Sequence, residues 1–306
     1  MFFPSMFGLH DGAPHNSSFE FLGYETQYFL FNMGSALFVF WIFVVLLMIY
    51  PCDEYIESVL EDEEKTRFNA FLRRNMCWNI FVTFFQELYL EICFSAVLAY
   101  LKLGEEEASW GLVFSHIHAI FFTGVALLLP LMLLFALIPN FSKLGEESWK
   151  GRIGEMYSNL NITESRNVLM YPLVFFLRRI AFVVVVFALE KYPTFQIFFL
   201  VFQVEAFIIM IYYAEPLVDK RTNTFELFNE AYVLVLVYHL ILFTDFVPSP
   251  DTRYTMGFSM IGFTCLQIAL NVLLLLKGIY RYLKRALQKK LYEYKLADWQ
   301  KKQLKK

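Results

Sequence analysis

Seven apolar runs, each long enough to cross a bilayer, restrict what this chain can fold into. They are Tyr28–Tyr50, Asn79–Leu101, Val113–Ile138, Val168–Glu190, Pro193–Ala214, Phe225–Phe246 and Thr255–Lys277. At roughly 1.5 Å per helical residue, each run spans the ~30 Å hydrocarbon core. The runs are continuously apolar and do not alternate in and out, which excludes a porin-like barrel. With 58% hydrophobic and 19% aromatic residues, the chain has more apolar side chain than a water-facing fold can bury. The expected class is all-α: a polytopic bundle of seven transmembrane helices.

Basic residues sort around these runs. The segment before the first run has none, whereas the first loop has Lys65, Arg67, Arg73 and Arg74. The second loop has Lys102 alone, and the third has Lys143, Lys150, Arg152 and Arg166. Lys191, then Lys220 and Arg221, then Arg253 follow in the next three connections, and eleven more lie from Lys277 onward. Positive charge resists translocation, so the rich side is cytoplasmic. The expected topology is N-terminus outside and C-terminus cytoplasmic. Residues 1–27 form an outer segment, 28–277 the membrane domain and 278–306 a basic cytoplasmic helix.

Met1 to Thr26 carries no Lys or Arg, so neither a basic secretory n-region nor an Arg-rich mitochondrial presequence is expected in this stretch. Either the first run is its own insertion signal, or a larger outside domain accompanies the chain. Asn16-Ser17-Ser18 is a glycosylation sequon on the outer side, and Asn16 is the candidate acceptor. Asn161-Ile162-Thr163 is a second sequon, placed inside by the same topology, where it stays unmodified. Acids crowd the first inner loop (Asp53, Glu54, Glu57, Glu61, Asp62, Glu63, Glu64). Cys52, Cys77, Cys93 and Cys265 show no CxxC spacing, so neither a disulfide framework nor a zinc site is expected.

Pro193 is placed to open the fifth span, where its missing N–H costs little, and Pro130 should kink the third. In the third loop Trp149, Ile153, Met156 and Leu160 recur at helical spacing, which predicts an amphipathic helix lying along the inner interface. The last span has no breaker before Tyr280, Leu283, Leu287, Leu291 and Tyr294. This basic extension suits anionic inner-leaflet lipid, and equally a solvated tail.

An ionisable group inside a span costs roughly 2.5–3.5 kcal/mol on insertion scales, so each one needs a partner or a purpose. Ordered by depth, Glu87 and Glu91 of the second span, Arg178 and Arg179 of the fourth and Glu205 of the fifth converge in the inner half of the bundle. Glu226 and Glu230 of the sixth span, with Gln267 and Asn271 of the seventh, join the same level. Two readings stay open: a buried network that fixes helix register, and a cation-binding or charge-sensing site. His116 and His118 point apart on a helix, so a two-histidine metal site is not expected. His239 and Asp245 lie in the outer half of the sixth span. There is no phosphate loop, HExxH pattern or nucleophile elbow, so neither an enzyme nor a cofactor is expected, and no nucleic-acid module is present.

Several stretches carry a resemblance. They are Gly23-Tyr24 with Phe31-Asn32-Met33-Gly34-Ser35, Phe84-Phe85-Gln86-Glu87-Leu88-Tyr89-Leu90-Glu91, and Arg152-Ile153-Gly154-Glu155-Met156-Tyr157. They continue with Tyr171-Pro172, Phe176-Leu177-Arg178-Arg179, Tyr192-Pro193, Gln196, and Pro216, Asn223, Glu226, Asn229-Glu230. In this order, over about residues 23–283, the chain resembles the TRP-like membrane domains of large ciliate surface proteins, with fungal TRP-like proteins and TRP channels as distant relatives. The resemblance implies a cation-channel-like bundle in a plasma or ciliary membrane, working as an oligomer or as a subunit of a membrane complex. A TRP-type pore needs a re-entrant helix and filter between the last two spans, and Val247–Tyr254 is too short for both. A non-conducting anchor or assembly subunit is therefore the rival. A transporter also stays open, whereas the Asp-Arg-Tyr and Asn-Pro-x-x-Tyr signatures of rhodopsin-like receptors are missing at the span ends.

Overall fold

The computed structural model describes residues 13–45, 48, 79–104, 109–146, 149–150, 153–163 and 165–303. In chain order the helices are α1 (Ser17–Phe21), α2 (Phe29–Asn32), α3 (Gly34–Val45), α4 (Asn79–Leu101) and α5 (Trp110–Met132). They continue with α6 (Met170–Ala188), α7 (Pro193–Ala214), α8 (Lys220–Leu242) and α9 (Pro250–Gln303). Among the described residues the only β pairing is a single bridge between Leu160 and Leu217. Among the described residues six helical stretches are long and apolar enough to cross a membrane: Ile80–Leu101, Trp110–Leu137, Arg166–Ala188, Pro193–Ala214, Lys220–Ile241 and Pro250–Lys290. A bilayer offers no water to unpaired backbone groups, so such apolar runs are forced into helices. These six fit an integral membrane protein.

The first apolar run is helical in α2 and again in α3, with Met33 between them. Residues 46, 47, 49 and 50 of that run, the loop after it with its basic and acidic residues, Cys52 and Cys77 lie outside the described residues, as does Arg152.

Local sequence explains the helix ends. Ser109 caps α5 by accepting from the Leu112 N–H, and Asp219 caps α8 by accepting from the Arg221 N–H at 3.1 Å. Pro193 opens α7, as its place in the sequence implied. The turn after α4 needs the positive φ of Gly104, +92°, which a glycine adopts without strain. Pro130 has a more specific consequence. Lacking an N–H, it leaves the carbonyl of Ala126 without its helical partner. The Tyr89 hydroxyl of α4 fills that vacancy, donating to Ala126 O at 2.8 Å. A π turn, Leu133–Leu137, follows at once, with Ile138 N–H donating to Leu133 O at 3.1 Å. Such turns mark local stress in a helix.

The core is aromatic and centres on α2–α6. Phe40 lies 5.0 Å from Phe122, Tyr89 lies 4.7 Å from Phe176, and all four are buried. In lipid such contacts hold helices together by close packing, because lipid tails are as apolar as the side chains. A smaller cluster pins α1 down: Phe19 stacks on Phe187 of α6 at 5.1 Å and meets Phe94 and Leu98 of α4.

The third loop departs from the expected interfacial helix. Gly154–Met156 is a 3-10 turn, Tyr157 ends it, and Leu160 enters the bridge with Leu217. Met156, Tyr157 and Leu160 are buried in the main core, and the Tyr157 hydroxyl donates to Leu144 O at 3.1 Å. Chain folding at Gly154 lets these side chains close the end of the bundle, a better use of apolar surface than the membrane boundary. The bridge also joins this loop to the α7–α8 turn, with Asn161 N–H donating to Pro216 O and Val218 N–H to Asn159 O. Asn223 secures that turn: its amide donates to Leu217 O at 2.9 Å and accepts from Leu217 N–H at 3.0 Å.

Packing thins steadily along the chain. The buried share of the apolar stretches falls from 39% in Ile80–Leu101 to 22% in α7, then 6% in α8 and 0% in Pro250–Lys290. Helix α9 runs unbroken through the predicted basic extension for 54 residues, ~81 Å at 1.5 Å per residue. It packs chiefly on α8.

Candidate functional site

The polar residues of the membrane region form a chain across four helices. At its centre Arg178 Nη1 of α6 donates to Glu230 Oε1 of α8 at 2.7 Å, with side-chain exposures of 21% and 12%. The Arg178 guanidinium also lies over the Phe207 ring of α7, 4.7 Å from its centre. Gln203 of α7 donates its amide N–H to the Arg178 carbonyl at 2.5 Å. On the other side Asn271 of α9 donates to Asn229 Oδ1, beside Glu230, at 3.2 Å and to Gln267 O at 2.9 Å. One ion pair and three amides thus link α7, α6, α8 and α9. In a low-dielectric setting desolvation offsets much of the attraction within such a pair, but removing one partner strands the other charge. The arrangement can hold α6 and α8 in one register, and it can report a change in charge at either residue as a change in helix position.

The other expected members are dispersed. Arg179 stacks on Phe175, 3.4 Å from the ring centre, and makes no ion pair among the described residues; Glu87, on the exposed side of α4, acts on it electrostatically. Glu91 is exposed and faces the N-terminal segment. Burial first, and the Glu91 carboxylate second, push the Tyr24 hydroxyl above its ordinary pKa. Glu205 is exposed on α7, where it accepts from the Tyr238 hydroxyl of α8 at 3.2 Å. Glu226 is half-buried, one turn before Glu230, with no ion pair among the described residues. So Arg178, Glu230 and Asn271 belong to one connected chain, to which Gln267 lends only its backbone carbonyl, while Glu87, Glu91, Glu205, Glu226 and Arg179 lie apart from it. Spacing of four identified shared faces; it did not say which face looks inward.

Gln203, Asn229 and Asn223 were not among the expected site residues. An amide in an otherwise apolar helix was the available signal for Gln203 and Asn229. For Asn223 it was a short polar residue just after a turn.

His116 and His118 each turn Nδ1 to the carbonyl four residues back at 2.8 Å and form no joint site. His239 reaches Ser259 of α9 at 3.3 Å, and Asp245 pairs with Arg253 at 3.5 Å. No group of three or more His, Cys, Asp or Glu is placed to hold a metal among the described residues. Asn16, the candidate glycosylation acceptor, is already engaged: Oδ1 caps α1 by accepting from Phe19 N–H at 3.0 Å, and Nδ2 donates to Glu190 at 2.9 Å. His15 approaches the same carboxylate at 3.7 Å. The chain matches no family model, no curated protein and no solved structure.

Proposed function

We propose that this chain is a TRP-like membrane subunit, a cation-channel relative in which the Arg178–Glu230 pair couples a compact helical unit to the last two helices. The observation that carries the reading is the contrast in packing. Helices α4–α6 are built into a core, whereas only 6% of the apolar stretch of α8 and none of that of α9 is fully buried; α8 leans on α7, and polar contacts join it to α6 and α9. Helices left in that condition are suited to packing around an axis with other copies, with lipid covering what remains. The resemblance carried by Phe176-Leu177-Arg178-Arg179 and Asn229-Glu230 points the same way.

The topology that goes with this reading has seven crossings, N-terminus outside. Two contacts support it besides the charge sorting. His15 and Asn16 touch Glu190 in the α6–α7 connection, and Lys102, just after α4, sits 4.6 Å over the Tyr28 ring. The start of the first run thus shares a side with the end of α4. That placement supports a crossing by the first run.

A second reading, a non-conducting anchor or assembly subunit, is favoured by the connection between α8 and α9. Only seven residues, 243–249, separate the helices, and they hold no re-entrant helix. Conductance across planar bilayers carrying purified protein separates the two. A cation current altered by Arg178→Gln and by Glu230→Gln is expected of the channel relative. A folded, oligomeric preparation with no current would sink it and leave the anchor.

A further inference from the structure

A groove of about 820 Å³ lies between α8 and α9 at the end of α8 that carries Lys220. Phe225, Leu275 and Ile279 supply its apolar wall, and Arg221, Arg281 and Tyr282 stand at its mouth. Helix register puts the two arginines at one height. The Asn271–Asn229 hydrogen bond sets the antiparallel helices level there. Arg221 then lies eight residues, ~12 Å, toward the mouth, and Arg281 ten residues, ~15 Å, in the same direction. Measured the other way, Arg221 is ~30 Å along the helix from Ile241, the last residue of the membrane-length stretch, which equals the hydrocarbon thickness. The guanidiniums therefore sit at the headgroup level and the apolar wall within the acyl region.

Neither arginine has a carboxylate partner among the described residues. Arg281 uses only Nε, on Lys277 O at 3.4 Å, leaving its terminal nitrogens free. Asp219 is the one acid at the groove, and its Oδ1 is committed to capping α8 through the Arg221 N–H. Above Gly278 an added Cβ would meet nothing within 4 Å, so the groove is open there.

The geometry points to a binding site for one anionic glycerophospholipid, its phosphate held by Arg221 and Arg281 and one acyl chain laid along Phe225, Leu275 and Ile279. Guanidinium forks match phosphate oxygens, and basic clefts between helices at a membrane boundary are suited to such headgroups. A tyrosine at that depth belongs with its ring in the interface and its hydroxyl in water. The distal basic residues of α9 contribute less. Lys290 is nine residues, ~13 Å, beyond Arg281, further than the ~8 Å over which exposed charges act in physiological salt. The site depends on the membrane reading and on neither conduction nor orientation, so it stands or falls separately from the proposed function.

The test is native mass spectrometry of the purified full chain in detergent, titrated with dioleoylphosphatidylserine or dioleoylphosphatidylcholine. The wild type should retain phosphatidylserine preferentially. Each boundary arginine contributes about fivefold in affinity, so Arg221→Gln with Arg281→Gln should weaken phosphatidylserine binding about thirtyfold and abolish the preference. Lys290→Gln with Lys301→Gln, which removes the same charge further along α9, should leave it within twofold. Leu275→Trp, filling the apolar wall with both arginines intact, should weaken both lipids. Unchanged circular dichroism and elution volume show that each variant is folded. An unaffected double-arginine variant, an equal loss in the distal control or competition by millimolar inorganic phosphate would each overturn the site. So would a change in oligomer mass, instead of lipid retention, on Leu275→Trp, which would assign the groove to a second copy.

Discussion

Removing the Tyr89 hydroxyl should destabilise the fold, and restoring an N–H at position 130 should cancel most of that cost. Tyr89 is fully buried, and its hydroxyl lies 2.8 Å from the Ala126 carbonyl that Pro130 leaves without a helical donor. Tyr89→Phe keeps the ring against Phe176 and takes away only that bond. An unsatisfied buried carbonyl costs ~1–3 kcal/mol. Interhelical hydrogen bonds in membranes average ~0.6 kcal/mol and reach ~1.7, because other partners usually exist. Here Pro130 removes the usual helical donor, which argues for the upper end, about 1.5 kcal/mol. In a Pro130→Ala background the new N–H bonds Ala126 itself, and Tyr89→Phe should cost about 0.5 kcal/mol or less. The coupling is then ~1 kcal/mol. Equilibrium unfolding in mixed dodecyl maltoside–dodecyl sulfate micelles, followed by circular dichroism, measures all four corners of the cycle. An equal cost in both backgrounds would refute the claim that Tyr89 serves the proline.

Three further outcomes are expected. Arg178→Gln and Glu230→Gln should each destabilise by ~2–4 kcal/mol in the same assay, with the double variant less harmed than the sum, because each single change strands a charge; strict additivity would count against a coupled pair. Asn223→Ala removes a bond to each backbone group of Leu217 and should cost ~2 kcal/mol, whereas Asn223→Asp, which keeps only the acceptor, should fall between. This is checked by unfolding and by protease cleavage in the 215–219 turn, and a neutral alanine variant would remove Asn223 from that role. Tyr24 titrates higher when folded than when unfolded, so the folded state holds its proton more tightly. Its contribution to stability is complete below about pH 10 and is lost as pH rises through the folded value. Tyr24→Phe should accordingly flatten the alkaline loss of stability, and identical alkaline profiles would contradict the assignment.

Much of the architecture is legible in the residue order because a bilayer leaves so few choices. Continuous apolar runs could only become helices, Pro193 could only start one, and the stretch after Lys277 offered nothing to stop α9. Part of the polar chain was legible too: Arg178 meets Glu230, and Asn271 meets the neighbouring Asn229. Direction around each helix was not. Glu87, Glu91 and Glu205 sit on faces that look away from the Arg178–Glu230 contact, and their spacing carries no information about which neighbour each face meets. The third loop shows a second limit. Trp149, Ile153, Met156 and Leu160 have helical spacing, yet the bridge from Leu160 to Leu217 and burial of Tyr157 favour a folded plug. Periodicity reports what a segment does alone, and this segment answers to α4, Leu144 and the α7–α8 turn.

The length of α9 gives the molecule a mechanical advantage. From Asn271, where a hydrogen bond ties it to α8, to Gln303 the helix extends another 32 residues, ~48 Å. A rocking of about 5° at that attachment would sweep the far end through about 4 Å, roughly three-quarters of the rise of a helical turn. A stiff lever anchored by so few contacts turns sub-ångström rearrangements among α6, α8 and α9 into displacements that another molecule can feel. The same lever also works in reverse, so that a pull on its distal end is delivered to the Asn271–Asn229 contact and, through the neighbouring Glu230, to Arg178.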